Sequence, residues 1–267
     1  MPGAAGSFPA GPFPAGTPLL CFEQVSKTYP DGRRRIVVLE RTSFEIHRGE
    51  HVGILGSRRS GKSTLLRLAA GVEAPDEGRV AFEGRDVARM STVERDRLLR
   101  CRIGLLASED WRAAKGERVV DFVALPLVSD GATMHEAQRR ARRTLNWAGA
   151  TEYADDLAAS LAVGERMRVM LARALVREPD LLLVDEPAVV PSPSERNEFY
   201  ELMRAGARER HAALVVASED HNATRETSIL MEIGDGELLR TGGGPGVVVP
   251  FPPRPAQPPG GLERSGS

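Results

Sequence analysis

Eight consecutive residues, Gly56, Ser57, Arg58, Arg59, Ser60, Gly61, Lys62 and Ser63, match the spacing GxxxxGK[ST], and Thr64 follows directly. They follow the apolar run HVGIL and precede LLRLAA, so the motif joins a strand to a helix, the context it needs. In such a turn the backbone N–H groups face inward and the helix N-terminus adds a positive dipole end, so a polyphosphate is the ligand. Lys62 would reach the β- and γ-phosphates and Ser63 would bind Mg²⁺. The chain has 33 Arg but three Lys (Lys27, Lys62, Lys115), and with this composition a chance match arises roughly 0.003 times per chain. A second site, an acidic pair, lies downstream: Leu181-Leu182-Leu183-Val184 is a buried-strand run ending in Asp185 and Glu186. Beside a phosphate loop, the first acid holds Mg²⁺ and the second orients or deprotonates an attacking water.

Elements that alternate strand and helix must position these groups. Strands are expected at Leu20–Val25, Ile36–Leu39, Phe44–Ile46, His51–Leu55 and Val80–Phe82, with a helix from Lys62 to Ala70. Arg95 to Val176 is mostly helical in period, with a loop-like stretch from Ala107 to Glu117. Within it MHEAQRRARRTLNWAG is amphipathic, Ala137, Ala141, Leu145 and Ala148 lining one face, and its arginines read as a solvated face rather than a nucleic-acid patch. The end returns to strand–helix–strand at Leu181–Val184, Glu195–Arg210 and Leu214–Ala217, then a hairpin at Ile229–Ile233 and Glu237–Arg240. This order predicts a mainly parallel sheet with an inserted helical block.

Composition bounds the rest. With 36 basic and 37 acidic residues the net charge is −1, which gives no global field for gripping nucleic acid or an anionic membrane. No run of about 18 apolar residues exists to span a bilayer, the Pro-broken N-terminus is not a secretory signal, and two cysteines are too few for a disulfide framework or zinc cluster. The expected setting is soluble and cytoplasmic. Residues 1–18 and 241–267 hold 12 of the 19 prolines and read as flexible tails; VVVPFPPRPAQPP in the second is a linker or a polyproline II ligand. Leu19 to Arg240 is left as the folded domain.

Over that span the residues resemble the ATP-binding cassette (ABC) ATPases. Besides the two motifs above, GERMRVMLARALVREPDLLLVDEP looks like the family's signature helix running into its Mg²⁺ strand, and Tyr29 in VSKTYPDG stands where the family stacks an aromatic on adenine. MSTVERDRLLRCRIGLL and VVDFVALPL are similar to the lipoprotein-release, macrolide-exporter and cell-division branch. The resemblance implies an α/β fold: a P-loop NTPase (RecA-like) core with a mainly parallel sheet, an N-terminal antiparallel β-subdomain, and an α-helical subdomain inserted at about residues 107–163. It implies ATP and Mg²⁺ as ligands, with Asp185 and Ser63 on the metal and Glu186 as catalytic base. It also implies a second nucleotide-binding domain as head-to-tail partner, a membrane permease in trans docked near Ser108–Val128, and a place at the inner face of the cell membrane.

Departures from the pattern are several. The family's signature LSGGQ is replaced by Leu161-Ala162-Val163-Gly164-Glu165, so the serine hydroxyl offered to the partner's γ-phosphate is gone. The switch-histidine position aligns with Glu219, and His221 could substitute only through a shifted loop. Ser108 takes the place of the loop glutamine, and Ser192 that of an aspartate after the Mg²⁺ strand. Arg58 and Arg59 replace a small Ser and Gly; Arg59 either crowds the turn or adds charge toward phosphate. ATP binding with slow hydrolysis that drives a permease is one functional expectation. An ATP-sensing module that switches a partner without turnover is the other.

Overall fold

A computed structural model of the chain describes residues 16–107, 111–187 and 192–243. Its first element pair is a long hairpin, β1 (Leu20–Asp31) with β2 (Arg34–Ile46). Sequence reading breaks this hairpin into three short strands. The reason is a set of three register shifts, the first adding a residue to β1 between Phe22 and Val25 and the next two adding one each to β2 between Thr42 and Val37, which interrupts the in–out alternation on which such a reading depends. Tyr29 sits inside β1, paired with Ile36. β1 also pairs with β4 (Glu77–Phe82), and β5 (Arg85–Asp86) completes an antiparallel sheet of order β2-β1-β4-β5.

A second sheet of order β10-β9-β3-β8-β7-β6 carries the nucleotide motifs. Its strands β3 (His51–Leu55), β6 (Ile103–Ala107), β7 (Leu181–Asp185), β8 (Ala213–Ser218) and β9 (Ile229–Gly234) run parallel; β10 (Glu237–Gly243) closes the edge antiparallel. β3, β7 and β8 are buried on both faces, which explains their unbroken apolar runs. β10 reaches three residues past Arg240, because Gly242 and Gly243 still pair with Leu230 and Ile229 after a bulge.

Helices α1 (Lys62–Ala69), α2 (Thr92–Cys101) and α6 (Pro193–Glu209) flank this sheet. Between β6 and β7 lies a helical block of α3 (Val119–Ser129), α4 (Met134–Trp147) and α5 (Val163–Leu175). Ala137, Ala141, Leu145 and Ala148 are fully buried along α4, on the stripe its period predicts. Of the α4 arginines, Arg142 pairs with Asp155 at 2.6 Å, Arg139 with Glu136, and Arg140 donates to the Val176 carbonyl. The block has its own apolar core, including Val120, Val123, Leu145, Ala172 and Val176, distinct from the cores on the two faces of the large sheet. Among the described residues no helix is long and apolar enough to cross a membrane.

Candidate functional site

β3 ends at Leu55 and the chain turns through Gly56–Gly61 into α1. Two glycines make the turn possible. A Cβ on Gly56 would lie 2.4 Å from Ser60 Oγ and 2.7 Å from the Ile233 carbonyl, and one on Gly61 would lie 2.9 Å from the Val38 carbonyl. Gly61 also has φ 108°, a region closed to side-chain-bearing residues. It is the N-cap of α1, and no side chain caps that helix. The first N–H groups of a helix have no intrahelical partner, so here they are left to a ligand. Ser57, Arg58 and Arg59 are exposed along the loop, Ser60 is half-buried beneath it, Ser63 is half-buried and Thr64 buried. Arg59 lies in the left-handed region at φ 66°.

Lys62 is 5% exposed, yet its Nζ reaches the cleft. It donates to the carbonyls of Gly56 and Ser57 at 2.8 Å each and meets Glu186 Oε1 at 3.0 Å. Glu186 follows the last residue of β7 and turns out of the strand at φ 44°, its N–H held by the Ala217 carbonyl. Its other oxygen, Oε2, accepts from Ser218 Oγ at 3.2 Å and from the Glu219 N–H at 3.3 Å. The two motifs that sequence reading singles out are far apart in the chain, and they meet through this one ion pair.

The loop after β8 decides the histidine question. Glu219 Oε1 stands 4.0 Å from Lys62 Nζ and lines the cleft. His221 is exposed and is not among the lining residues. Asp220 fixes this arrangement: its Oδ2 accepts from the Tyr200 phenol at 3.1 Å and ion-pairs with Arg196 at 3.3 Å, while its Oδ1 accepts the Asn222 N–H. Burial, then the neighbouring Asp220 carboxylate, pushes the Tyr200 phenol well up, so it stays a donor. Sequence reasoning misses Ser218, Tyr200 and Asp220, since none carries a motif; only the fold brings them here.

At the far end of the cleft Tyr29 donates its O–H to Glu73 and lies 3.4 Å from Thr64 Oγ1. Burial opposes the charge on Glu73, but bonds from Tyr29 and from Arg67 (2.5 Å) hold its carboxyl below the usual range. With its hydroxyl fixed, the Tyr29 ring forms a wall beside Val38 and Arg67, two further residues that carry no sequence signal. The cleft they enclose with the phosphate loop, Glu186 and Glu219 has a volume of about 570 Å³, within the ordinary range for a small-molecule site.

Leu161–Glu165 forms the entry to α5, with Leu161 buried and Val163 43% exposed. Ala162 is the N-cap and offers no side-chain acceptor, but Glu165 Oε2 accepts the Ala162 N–H at 2.7 Å. Half of a capping box is thereby present. None of these five residues lines the cleft of its own chain. Ser108 and the segment 188–191 lie outside the described residues, as do residues 109–110 of the expected docking segment and most of both tails; Ser192 is described and caps α6 by accepting the Glu195 N–H at 3.5 Å.

The ABC transporter family matches residues 39–189, more than half of the chain, including the phosphate loop and Glu186. The chain belongs to the ABC transporter family. Its cassette is 31% identical over 221 residues to the lipoprotein-releasing system ATP-binding protein LolD 2 of Caulobacter vibrioides, covering 83% of this chain and 96% of that protein. It is 30% identical over 227 residues to the methionine import ATP-binding protein MetN 2 of Rhodococcus jostii, covering 85% of this chain but only 66% of that longer protein. Among solved structures, the dimeric ATP-binding cassette MJ0796 bound to ADP and Pi superposes with a TM-score of 0.76 at 25% identity, over 83% of this chain and 98% of that one. CbiO1 of Clostridium perfringens, part of the transporter complex cbiONQ, shares the fold with a TM-score of 0.71 at 24% identity, over 84% and 87%.

A family that binds ATP needs a site able to take it, and this cassette's residues fit. The two glycines let the loop backbone pack closely against Val38, Ser60 and Ile233, α1 offers uncapped N–H groups, and Tyr29 lines the same cleft. Mg²⁺ would be met by hard oxygens, the Ser63 hydroxyl, which lines the cleft, and the Asp185 carboxylate, which is not among the lining residues. No group of three or more His, Cys, Asp or Glu among the described residues could cage a metal alone. A cation here would therefore complete its shell from phosphate oxygens and water, as Mg²⁺ usually does.

Proposed function

We propose that this chain is the ATP-binding subunit of an ABC transporter: it binds Mg-ATP, pairs head to tail with a second cassette, and drives a separate membrane permease with slow hydrolysis. It works in the cytoplasm, at the inner face of the cell membrane. The observation that carries this reading is the Lys62–Glu186 contact, which joins a phosphate loop to a carboxylate at one end of a cleft walled at the other by Tyr29. Tyr29 stacks on adenine, the Gly56–Thr64 backbone cradles the phosphates, and Ser63 with Asp185 holds Mg²⁺, which when bound neutralises phosphate charge. Lys62 exchanges Glu186 for phosphate oxygen. That exchange frees Glu186 Oε1 to accept a proton from water, while Oε2 stays fixed by Ser218 and the Glu219 N–H.

Slow turnover follows from what the site holds elsewhere. Glu219 brings a carboxylate where a donor to the γ-phosphate would help, and loss of one preorganised donor lowers a rate roughly 10²–10³-fold. Ala162 gives the partner's nucleotide no hydroxyl, although Gly164 and the α5 N-terminus remain as backbone donors, with Leu161, Val163 and Glu165 completing the surface shown to the partner. These same two features favour a second reading, an ATP-sensing switch that dimerises without turnover.

Both readings meet in one pair of measurements: equilibrium Mg-ATP binding and steady-state ATPase rate, with Lys62→Ala and Glu186→Gln as controls. Turnover that needs both residues supports the motor. Tight binding with a rate equal to that of Glu186→Gln supports the switch. Binding that fails in the unsubstituted chain, or is indifferent to Lys62→Ala, refutes both, and failure to associate with any integral membrane protein refutes the permease partnership.

A further inference from the structure

The phosphate end of the cleft has a charge problem. Lys62 faces two carboxylates that line the cleft, Glu186 at 3.0 Å and Glu219 at 4.0 Å. One ammonium against that set leaves the end of the cleft net negative, which would repel a polyphosphate. Arg67 does not correct this, because Glu73 neutralises it at 2.5 Å. Among the described residues, the only other cations lining the cleft are Arg58 and Arg59.

These two arginines differ from most others near the nucleotide site. Both are exposed, both line the cleft, and among the described residues neither ion-pairs with a carboxylate, whereas Arg67 and Arg196 are each committed to one. Together with Lys62 they set three cations against the two lining carboxylates, which makes the phosphate end net positive. Arg59 also holds a backbone conformation, φ 66°, in which glycine would be the less strained residue. A side chain kept against its backbone preference at a ligand cleft points to a use for the side chain.

We propose that Arg58 and Arg59 are phosphate-binding residues: their guanidinium groups close over the terminal phosphate of the nucleotide and offset the carboxylate of Glu219. The inference rests on the reading of the cleft as an ATP site. It assigns to side chains of the loop a task that the loop backbone performs alone when small residues stand there, and guanidinium suits it through its paired donors.

The test measures dissociation constants for Mg-ATP, Mg-ADP and tripolyphosphate by titration calorimetry. The variants are Arg58→Ser/Arg59→Gly, Arg59→Lys, Glu219→Gln, the triple combination, and Lys62→Ala. Replacing both arginines should weaken Mg-ATP and tripolyphosphate roughly 10- to 100-fold, the scale of charge-assisted bonds, and leave Mg-ADP nearly unchanged. Glu219→Gln in that background should restore most of the loss, and Arg59→Lys should keep more affinity than Arg59→Gly. Misfolding does not confound the double variant, since Ser is neutral at an exposed site and Gly relaxes the turn; thermal unfolding checks this. Unchanged Mg-ATP affinity, an equal loss for Mg-ADP, or no rescue by Glu219→Gln would each overturn the inference. If Lys62→Ala abolishes Mg-ATP binding while the double variant does not, this inference alone falls; if Lys62→Ala also has no effect, the ATP site itself falls.

Discussion

Ala162→Ser is the substitution whose effect the structure fixes most tightly. Ala162 already has the extended backbone of an N-cap, φ −68° and ψ 165°, and Glu165 already returns its carboxylate to the Ala162 N–H at 2.7 Å. A serine there needs no rearrangement to accept the Glu165 N–H and complete a capping box. The site is exposed, so the new hydroxyl loses no solvation. An N-cap hydroxyl is worth about 0.5–2 kcal/mol, typically near 1 kcal/mol. For a domain of about 150–250 residues that raises Tm by roughly 2–4 °C. Differential scanning calorimetry without nucleotide reads the stability. The complementary change, Glu165→Ala, should lower Tm, and Glu165→Gln should not, because an amide oxygen also accepts the bond. The introduced hydroxyl, while its oxygen accepts the cap bond, still has its O–H to donate outward, so ATPase rate should rise by up to about 10-fold if this surface faces a partner's phosphate. An unchanged or lowered Tm would refute the capping argument. A raised Tm with an unchanged rate would refute the role in trans.

Other consequences are open to direct measurement. Gly61→Ala drives a Cβ to 2.8 Å from Val38 Cγ1 at φ 108°, so urea unfolding should show a loss of at least about 1–3 kcal/mol, together with loss of ATP binding. Arg102→Leu leaves the buried Glu83 carboxylate with Arg48 alone and frees one side of Asp180; a destabilisation of roughly 3 kcal/mol by the same assay is expected. Glu94 is held at about 2 by the Ser91 N–H and hydroxyl and then by Arg85. Its folded pKa is depressed, so the stability it contributes is present above the ordinary 4.5 and is lost as pH falls from there toward 2. NMR titration of the Glu94 carboxyl should show this value, and Ser91→Ala and Arg85→Ala should each raise it only in part, because the Ser91 backbone N–H, the largest cause, remains in both.

Much of this architecture can be read from spacing alone, because GSRRSGKST and LLLVDE each combine a buried strand with residues of defined chemistry. The parallel strands β3, β7 and β8 are legible for the same reason: burial on both faces leaves an unbroken apolar run. β1 and β2 are less so, since bulges shift the in–out phase and hide how far the hairpin extends, and with it the setting of Tyr29. Val38, Arg67, Tyr200 and Asp220 contribute to the site from separate elements through single side chains, and no local pattern marks a residue whose partners are distant in sequence. His221 illustrates the converse: its proximity to Glu219 in the chain suggests a substitute, but Asp220 anchors the loop to Tyr200 and Arg196 and leaves the imidazole outside the cleft.

The separate core of the helical block bears on the order in which this chain folds. β6 and β7 are neighbours in the sheet, with Ile103 opposite Leu181, although α3, α4 and α5 intervene in sequence. Bringing distant strands together carries an entropic penalty that grows with the logarithm of the loop between them. Val120, Leu145 and Val176 belong to one apolar cluster whose buried members all lie in this block and none in the sheet. Once it has condensed, the loop still to be closed is only the few residues on either side, and the penalty for pairing β6 with β7 drops by about 1 kcal/mol. The insertion that separates the two strands in the chain is thus also what brings them together.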